Sequence, residues 1–302
     1  MKVLVIGAAG QLGHDLLKVF SPDHEVIGAD IAGAGAAHAV DITDPEAVDS
    51  LIVDINPDLV INSAAFTNVD GCEAQKNICH EVNADGAGNI ARACAGIEAA
   101  EAGEVGRVPA VMIHISTDYV FDGSKRQPYN EHDQVAPLGA YGITKYDGEE
   151  QVRKALPNRH LIVRTAWLFG DHGANFVKTM LRLGRERDQL SVVNDQTGSP
   201  TYALHLAQAL KQLAENRLGD PGVYHLTNSG HCTWYEFASE IFRLAAVDVG
   251  LSRTSTEEFN APAPRPAYSV LAQTRAPESA MTPWAEGLRW CRRHPGELTS
   301  GS

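Results

Sequence analysis

Lys2-Val-Leu-Val-Ile6, running directly into Gly7-Ala-Ala-Gly-Gln-Leu-Gly13, decides the fold of this chain. An apolar run without polar alternation reads as a strand buried on both faces, as in a parallel sheet. The glycine-rich run predicts a tight turn into an amphipathic helix reaching about Phe20. Glycines there let a backbone approach a pyrophosphate, and the helix N-terminus favours its charge. Gly7, Gly10, Gln11, Leu12 and Gly13 are therefore candidate dinucleotide contacts. The spacing is G-x-x-G-x-x-G, not G-x-G-x-x-G, and the alternative reading is tight strand–helix packing without a ligand.

Outward from this turn, Glu25–Ala29 reads as a second strand ending in Asp30, about 20 residues past the glycines, where a carboxylate binds adenosine ribose hydroxyls. A 2′-phosphate would be repelled there, and no Arg or Lys lies between Lys18 and Lys76 to neutralise one. This favours NAD(H) over NADP(H). Val40-Asp-Ile-Thr43 reads as a short third strand whose Asp41 and Ile42 flank an adenine, and Asp44-Pro45 starts a helix. Asp58–Ser63 is a fourth strand leading to Ala64-Ala65-Phe66-Thr67, where small residues let backbone lie against a cofactor. Residues 69–102 are Ala-rich and helical in tendency, with Asn83 either a helix-surface residue or an organiser near the cofactor.

Ala110–Ile115 reads as another buried strand, breaking into the polar and aromatic run Ser116-Thr-Asp-Tyr-Val-Phe-Asp-Gly123. A later helix carries Tyr141-Gly-Ile-Thr-Lys145, whose tyrosine and lysine share one face. An ammonium beside a phenol favours the phenolate and lowers the phenol pKa from about 10. Tyr141 is thus a candidate proton donor to a carbonyl, with Thr117 placed to hydrogen-bond the same oxygen. Strands alternating with helices imply a doubly wound parallel sheet with ligands at the C-terminal strand ends. The glycine turn and Thr117 converge there.

The whole chain sets bounds on this reading. Its 302 residues suffice for a large core and about two domains. A net charge of −13 argues against a general nucleic-acid or anionic-membrane surface. Five cysteines (Cys72, Cys79, Cys94, Cys232, Cys291) without metal-ligand spacing fit reduced thiols in a cytoplasm. With neither a signal peptide nor a spanning segment read, the expected location is the cytoplasm. Toward the C-terminus, Asn175–Leu183 reads as a helix, Leu190–Val193 as a strand, Ala203–Glu215 as a helix and Val223–Thr227 as a strand. Thr233 caps a helix to Ala245 whose Phe237 and Phe242 read as core. Ala261–Pro266 is an extended linker or lid, with Arg265 read as solvated. His114 reads as a satisfied core histidine.

The glycine turn, Asn83, Thr117 and Tyr141-x-x-x-Lys145 together resemble the extended short-chain dehydrogenase/reductases. Ser116–Gly123, Pro137–Gly142, Arg164–Gly170 and Asn194–Thr201 narrow this, because they look like the dTDP-4-dehydrorhamnose reductase family from residue 1 to about 290. The resemblance implies hydride transfer from a nicotinamide to C4 of a nucleotide-bound 4-keto-6-deoxysugar. It assigns the catalytic roles to Thr117, Tyr141 and Lys145, the last also holding the nicotinamide ribose. It places Thr67, Tyr119 and Trp167 near the sugar, and Asn175, Phe176, Gln196 and Thr201 in the lobe that contacts the nucleotide. The implied architecture is an α/β, Rossmann-type sheet domain over residues 1–170 and a smaller C-terminal α/β substrate lobe over 171–302. Strands near 190–194 and 223–227 are expected to return to the sheet, and the tail from 296 to be disordered.

Three departures accompany the resemblance. The family often accepts NADPH, which Ala8-Ala9 and Asp30 do not favour; Leu204 stands where an acid would join subunits through magnesium; and 96–108 reads as a surface insertion. The implied partner is a dTDP-sugar, with no nucleic acid, no membrane and no metal, and the protein a monomer or homodimer. Another deoxysugar reductase, an epimerase or a non-catalytic nucleotide-binding regulatory subunit stays open.

Overall fold

The computed structural model describes residues 1–31, 36–96, 110–276 and 281–293. Most of the expected insertion, residues 97–108, and the tail from 296 lie outside the described residues. Seven parallel strands form the central sheet: β1 (Lys2–Ile6), β2 (Glu25–Asp30), β3 (His38–Ala39), β4 (Leu59–Asn62), β5 (Val111–Thr117), β6 (His160–Thr165) and β8 (Gly222–His225). β7 (Gln189–Val193) and β9 (Gly250–Thr254) lie outside this sheet. The strand order is β8-β6-β5-β4-β1-β2-β3. β1 is paired on both sides, Val5 standing opposite Gly28 of β2 and Ile61 of β4. Strand order reverses there, so a crevice opens at the C-terminal ends of β1 and β4.

β1, β4, β5 and β6 bury both faces, and the period of two divides their side chains between two cores. Val3, Val5, Leu59, Ile61 and Ile113 pack with α1 (Gln11–Phe20) and α8 (Ala203–Arg217). Leu4, Ile6, Val60, Met112 and Ile162 pack on the opposite face with α2 (Pro45–Ile55), α5 (Ala87–Gly96) and α6 (Ala140–Ala155). Asp44 caps α2 as its sequence predicts, accepting from the amides of Glu46 and Ala47. Most large apolar residues of these four strands are thus withdrawn from water, which is the main stabilising term.

Several elements differ from expectation. The third strand is His38–Ala39, because Asp41 Oδ1 accepts from the Thr43 amide and hydroxyl and turns the chain at 41–43. The helical stretch from Val69 is broken into α3 (Val69–Ala74), α4 (Lys76–His80), a wide turn at Glu81–Gly86 and α5. Val223–His225 joins the central sheet beside β6, but the strand near 190 does not. β7 pairs in parallel with β9, and its Leu190 and Val192 pack into a separate core around Phe237, Ile241 and Phe242. That core belongs to the C-terminal lobe, formed chiefly by α7 (Phe176–Glu186) and α9 (Trp234–Ala245), so β7 follows its buried side chains there. Thr233 and Glu236 form the capping box of α9. Cys72 and Cys79, expected as free thiols, form a disulfide, since α3 and α4 fold back at Gln75 and bring their Cα atoms to 5.4 Å.

Candidate active site

A cleft of about 690 Å³ occupies the crevice and extends to the lobe. One end is built largely of backbone. Gly7, Gly10, Gln11, Leu12 and Gly13 line it, with Asp30, Asp41, Ile42, Ala64, Ala65 and Thr67. α1 starts at Gln11 with no side-chain cap, which leaves its positive end to whatever enters. A Cβ on Gly13 would collide with the Gly7 carbonyl, so only glycine lets the helix seat this close to the strand. Asp30 Oδ2 accepts from the Ala9 amide at 2.9 Å and Oδ1 from the Ile31 amide at 2.7 Å. Its carboxylate is thereby held at the glycine turn.

The centre is made of side chains from β5 and α6. Thr117 ends β5 and caps the short turn Asp118–Val120, its hydroxyl accepting from the Tyr119 amide at 3.1 Å. α6 begins one residue before Tyr141, with the Ala140 amide donating to Glu73 of α3 at 2.7 Å. Gly142 lies where a Cβ would strike the Tyr119 carbonyl, so the first turn of α6 presses on the Thr117 turn. Thr117, Tyr119, Tyr141 and Lys145 all line the cleft, and the Tyr119 and Tyr141 rings meet edge to face at 5.8 Å.

The electrostatics differ from the sequence reading. Burial pushes the Tyr141 phenol up to about 12, the Thr117 hydroxyl opposing and Asp118 adding to the rise. The Lys145 ammonium instead donates to the Ile115 carbonyl at 2.6 Å. Burial draws Lys145 down to about 8, with Glu149 resisting. Proximity along the helix face therefore does not by itself lower the tyrosine pKa here, because desolvation outweighs it.

Beneath these groups lies a set of buried partners. Asn83 does not reach the cleft surface. Its Oδ1 accepts from the Phe66 amide at 2.8 Å and its Nδ2 donates to the Phe66 carbonyl at 3.1 Å and to Thr144 at 3.2 Å. It thus clamps the Ala64–Thr67 loop to α6. Glu149 accepts from Ser116 at 2.6 Å and from Arg164 Nε and Nη2 at 2.8 and 2.6 Å, tying α6 to β5 and β6. His114 is buried beside Asn62 at 3.2 Å and held neutral by burial and Lys145, but its Nε2 has no partner.

The lobe end is aromatic. Trp167 lines the cleft and stacks on Trp234 with ring centroids 3.5 Å apart and planes 6° from parallel. The other expected lobe contacts stand behind this wall. Asn175 caps α7 and donates to Gln11 Oε1 at 2.9 Å and to the Gly170 carbonyl at 2.8 Å. Phe176 packs on Trp234 at 4.5 Å, and Gln196 Oε1 accepts from the Trp234 indole at 3.2 Å. Thr201 is fully buried and donates to the Ser199 carbonyl. None of these four lines the cleft, because each is engaged in packing or holding the residues that do. Arg265 is not solvated: its guanidinium pairs with Asp70 of α3 at 3.0 Å and fastens the proline-rich segment. Sequence reasoning missed Trp234 and Asp118, both on the cleft wall. A tryptophan opening a helix right after a capping box was the available signal for Trp234.

A parallel sheet carrying a glycine turn at its point of strand reversal defines a Rossmann-type nucleotide-binding protein. The chain belongs, more particularly, to the RmlD substrate binding domain family, whose profile matches residues 1–294. It is 40% identical over 291 residues to the spore coat polysaccharide biosynthesis protein SpsK of Bacillus subtilis, covering 95% of each chain. It resembles the crystal structure of a dTDP-4-dehydrorhamnose reductase from Clostridium acetobutylicum with a TM-score of 0.87 and 41% identity, over 97% of this chain and 99% of that one. A dTDP-4-dehydrorhamnose reductase from Bacillus anthracis, solved in complex with NADP, gives a TM-score of 0.87 at 38% identity over the same shares.

Proposed function

We propose that this chain is a nicotinamide-dependent reductase of a nucleotide-bound 4-keto-6-deoxysugar, converting dTDP-4-dehydrorhamnose to dTDP-L-rhamnose. The observation that carries the reading is the opening of Thr117, Tyr141 and Lys145 into the same cleft as the glycine turn. Two similar solved structures carry the same reductase name.

The residues present fit the cofactor. Gly7, Gly10 and Gly13 line the cleft without side chains, the start of α1 is uncapped, and Asp30 is held at the turn by the Ala9 amide. A bound nicotinamide supplies hydride. Gly7, Gly10 and the α1 start would hold its diphosphate, Asp30, Asp41 and Ile42 its adenosine end, and Ala64, Ala65 and Thr67 its middle. Lys145 would hold ribose hydroxyls. Thr117 would hydrogen-bond the keto oxygen and Tyr141 would give it a proton. Tyr119, Trp167 and Trp234 would flank the sugar. Phe176, Gln196 and Thr201 would act on the sugar nucleotide by fixing the aromatic wall, and Asn175 by holding Gln11. The Asp30 carboxylate favours NADH over NADPH in this chain. No described helix is long and apolar enough to cross a membrane, and the reading places the enzyme in the cytoplasm as a monomer or homodimer, independent of metal.

The test is oxidation of NADH and NADPH by purified protein with dTDP-4-dehydrorhamnose. Consumption of reduced nicotinamide with formation of the dTDP-6-deoxyhexose is expected. No consumption with either cofactor overturns the reading.

A further inference from the structure

Asp118 directly follows Thr117 and has no role in the mechanism above. It is 2% exposed and lines the cleft. Its Oδ1 accepts from the Thr117 hydroxyl at 3.1 Å, as an ionised carboxylate must, while its Oδ2 has no hydrogen-bond partner. The groups around it can be named element by element. Its own turn contributes the Tyr119 amide and phenol, and α6 contributes Tyr141. The segment after the proline-rich run contributes the Ser269 hydroxyl and, beyond Tyr119, Arg265. Neither cation is spent on Asp118: Lys145 donates to Ile115, and Arg265 pairs with Asp70.

A buried carboxylate without a cation and with one oxygen unsatisfied is disfavoured relative to the neutral acid. Burial accordingly pushes Asp118 up to about 7, against the pull of the Ser269 and Thr117 hydroxyls. The consequence falls on Thr117. A threonine hydroxyl has one proton to donate and two lone pairs. One lone pair already accepts from the Tyr119 amide. An ionised Asp118 can only accept, so it takes the Thr117 proton into its own hydrogen bond. A protonated Asp118 can donate to the second lone pair, which frees the Thr117 proton to turn into the cleft.

We propose that Asp118 is a positioning residue: its carboxyl, 3.1 Å from the Thr117 hydroxyl, sets which way that hydroxyl donates, and its protonated form turns the Thr117 proton to the substrate's keto oxygen. This rests on the reductase reading given above. Asp118 neither gains nor loses its proton during turnover; it fixes the direction of one hydrogen bond. Its neutrality has a second effect, because a charge on Asp118 opposes ionisation of Tyr141. Giving up the phenol proton is therefore easier while Asp118 is uncharged.

As pH rises through about 7, Asp118 ionises, Thr117 is recaptured and kcat falls; a second fall follows as Lys145 loses its charge near 8. Asp118→Asn keeps a donor toward Thr117 at every pH. It should retain turnover and lose the first of the two falls, leaving the one near 8. Asp118→Ala removes the donor and should lower kcat by about 10²-fold with little change in KM for the nicotinamide. A purely structural role would leave the pH profile of Asp118→Asn unchanged, and that result overturns the proposal.

One measurement does not need turnover or any variant to be active. Carbon NMR of the protein labelled with ¹³C-aspartate should show one carboxyl titrating near 7, absent from Asp118→Asn. If every aspartate is already ionised at pH 6, the proposal is wrong even if the enzyme reduces keto sugars. If no keto sugar is turned over but the NMR titration is as expected, it is the reductase reading that fails.

Discussion

The two ends of the cleft are built in opposite ways. At the glycine turn the surface is chiefly backbone and small side chains, shaped by a helix start that follows its strand in sequence. At the lobe the surface is a pair of stacked indoles, Trp167 and Trp234, brought together from segments 67 residues apart (234 − 167) and held by Gln196 and Phe176. The first kind of site tolerates almost no substitution inside it but needs few supports. The second depends on Gln196 and Phe176, which stand behind the cleft wall. Between them, Thr117, Tyr141 and Lys145 are positioned by buried pairs that belong to neither end.

Four substitutions break or sharpen this contrast. Tyr141→Phe removes the proposed proton donor and should cut kcat by roughly 10²- to 10⁴-fold. Nicotinamide affinity, measured by calorimetry, should barely change, because the glycine-turn end is untouched. An active Tyr141→Phe enzyme would leave the centre without its acid.

Glu149→Ala attacks the support of the centre. It strands the buried Arg164 guanidinium, and breaking such a pair costs about 3–5 kcal/mol. A urea midpoint close to that of the native protein would rule out the pair as an anchor of α6. Arg164 and Ser116 hold the Glu149 carboxyl below its ordinary range despite burial. A group lowered in this way stabilises the fold above its unfolded pKa and loses that contribution as pH falls through the folded one. The native protein should therefore lose more stability on acidification than the variant does.

Asp30→Ala tests the glycine-turn end. Like-charge repulsion of a 2′-phosphate would disappear, and the kcat/KM ratio of NADPH to NADH should rise on the order of 10-fold. A native enzyme that already prefers NADPH defeats that expectation. Trp234→Ala tests the other end, where an aromatic pair is worth about 0.5–1.5 kcal/mol beyond its buried area. KM for the sugar nucleotide should rise by up to roughly 10-fold, with nicotinamide binding unaltered; an unchanged sugar KM would remove the indole pair from the substrate surface.

The same contrast explains what could be read from the chain. Lys2–Gly13 is legible because strand, turn and helix follow one another, and Gly10 and Gly13 mark close approaches to Gly7 and Ala8, a few residues away. Thr117 and the Tyr141–Lys145 pair are legible as types, but their electrostatics are not. The Lys145 amine meets Ile115, 30 residues upstream, and no helical-face argument can predict that contact. The resemblance assigns Gln196 and Asn175 to the lobe that contacts the nucleotide. Their partners, Trp234 and Gln11, lie 38 and 164 residues away. The strand at Gln189–Val193 shows the same limit: its pattern reveals a strand, while the sheet it joins is chosen by the core that takes Leu190 and Val192. Cys72 and Cys79 pair for a reason equally hidden, the fold-back of two short helices.

Trp167 adopts a left-handed backbone, with φ of 47°, that a bulky side chain rarely takes up. Such a conformation is unfavourable by about 1–3 kcal/mol and lasts only while its surroundings enforce it. The facing indole is one of those enforcers, so the platform behaves like a sprung latch: release Trp234, and the peptide at 167 is free to unwind to an ordinary turn, carrying the cleft wall with it.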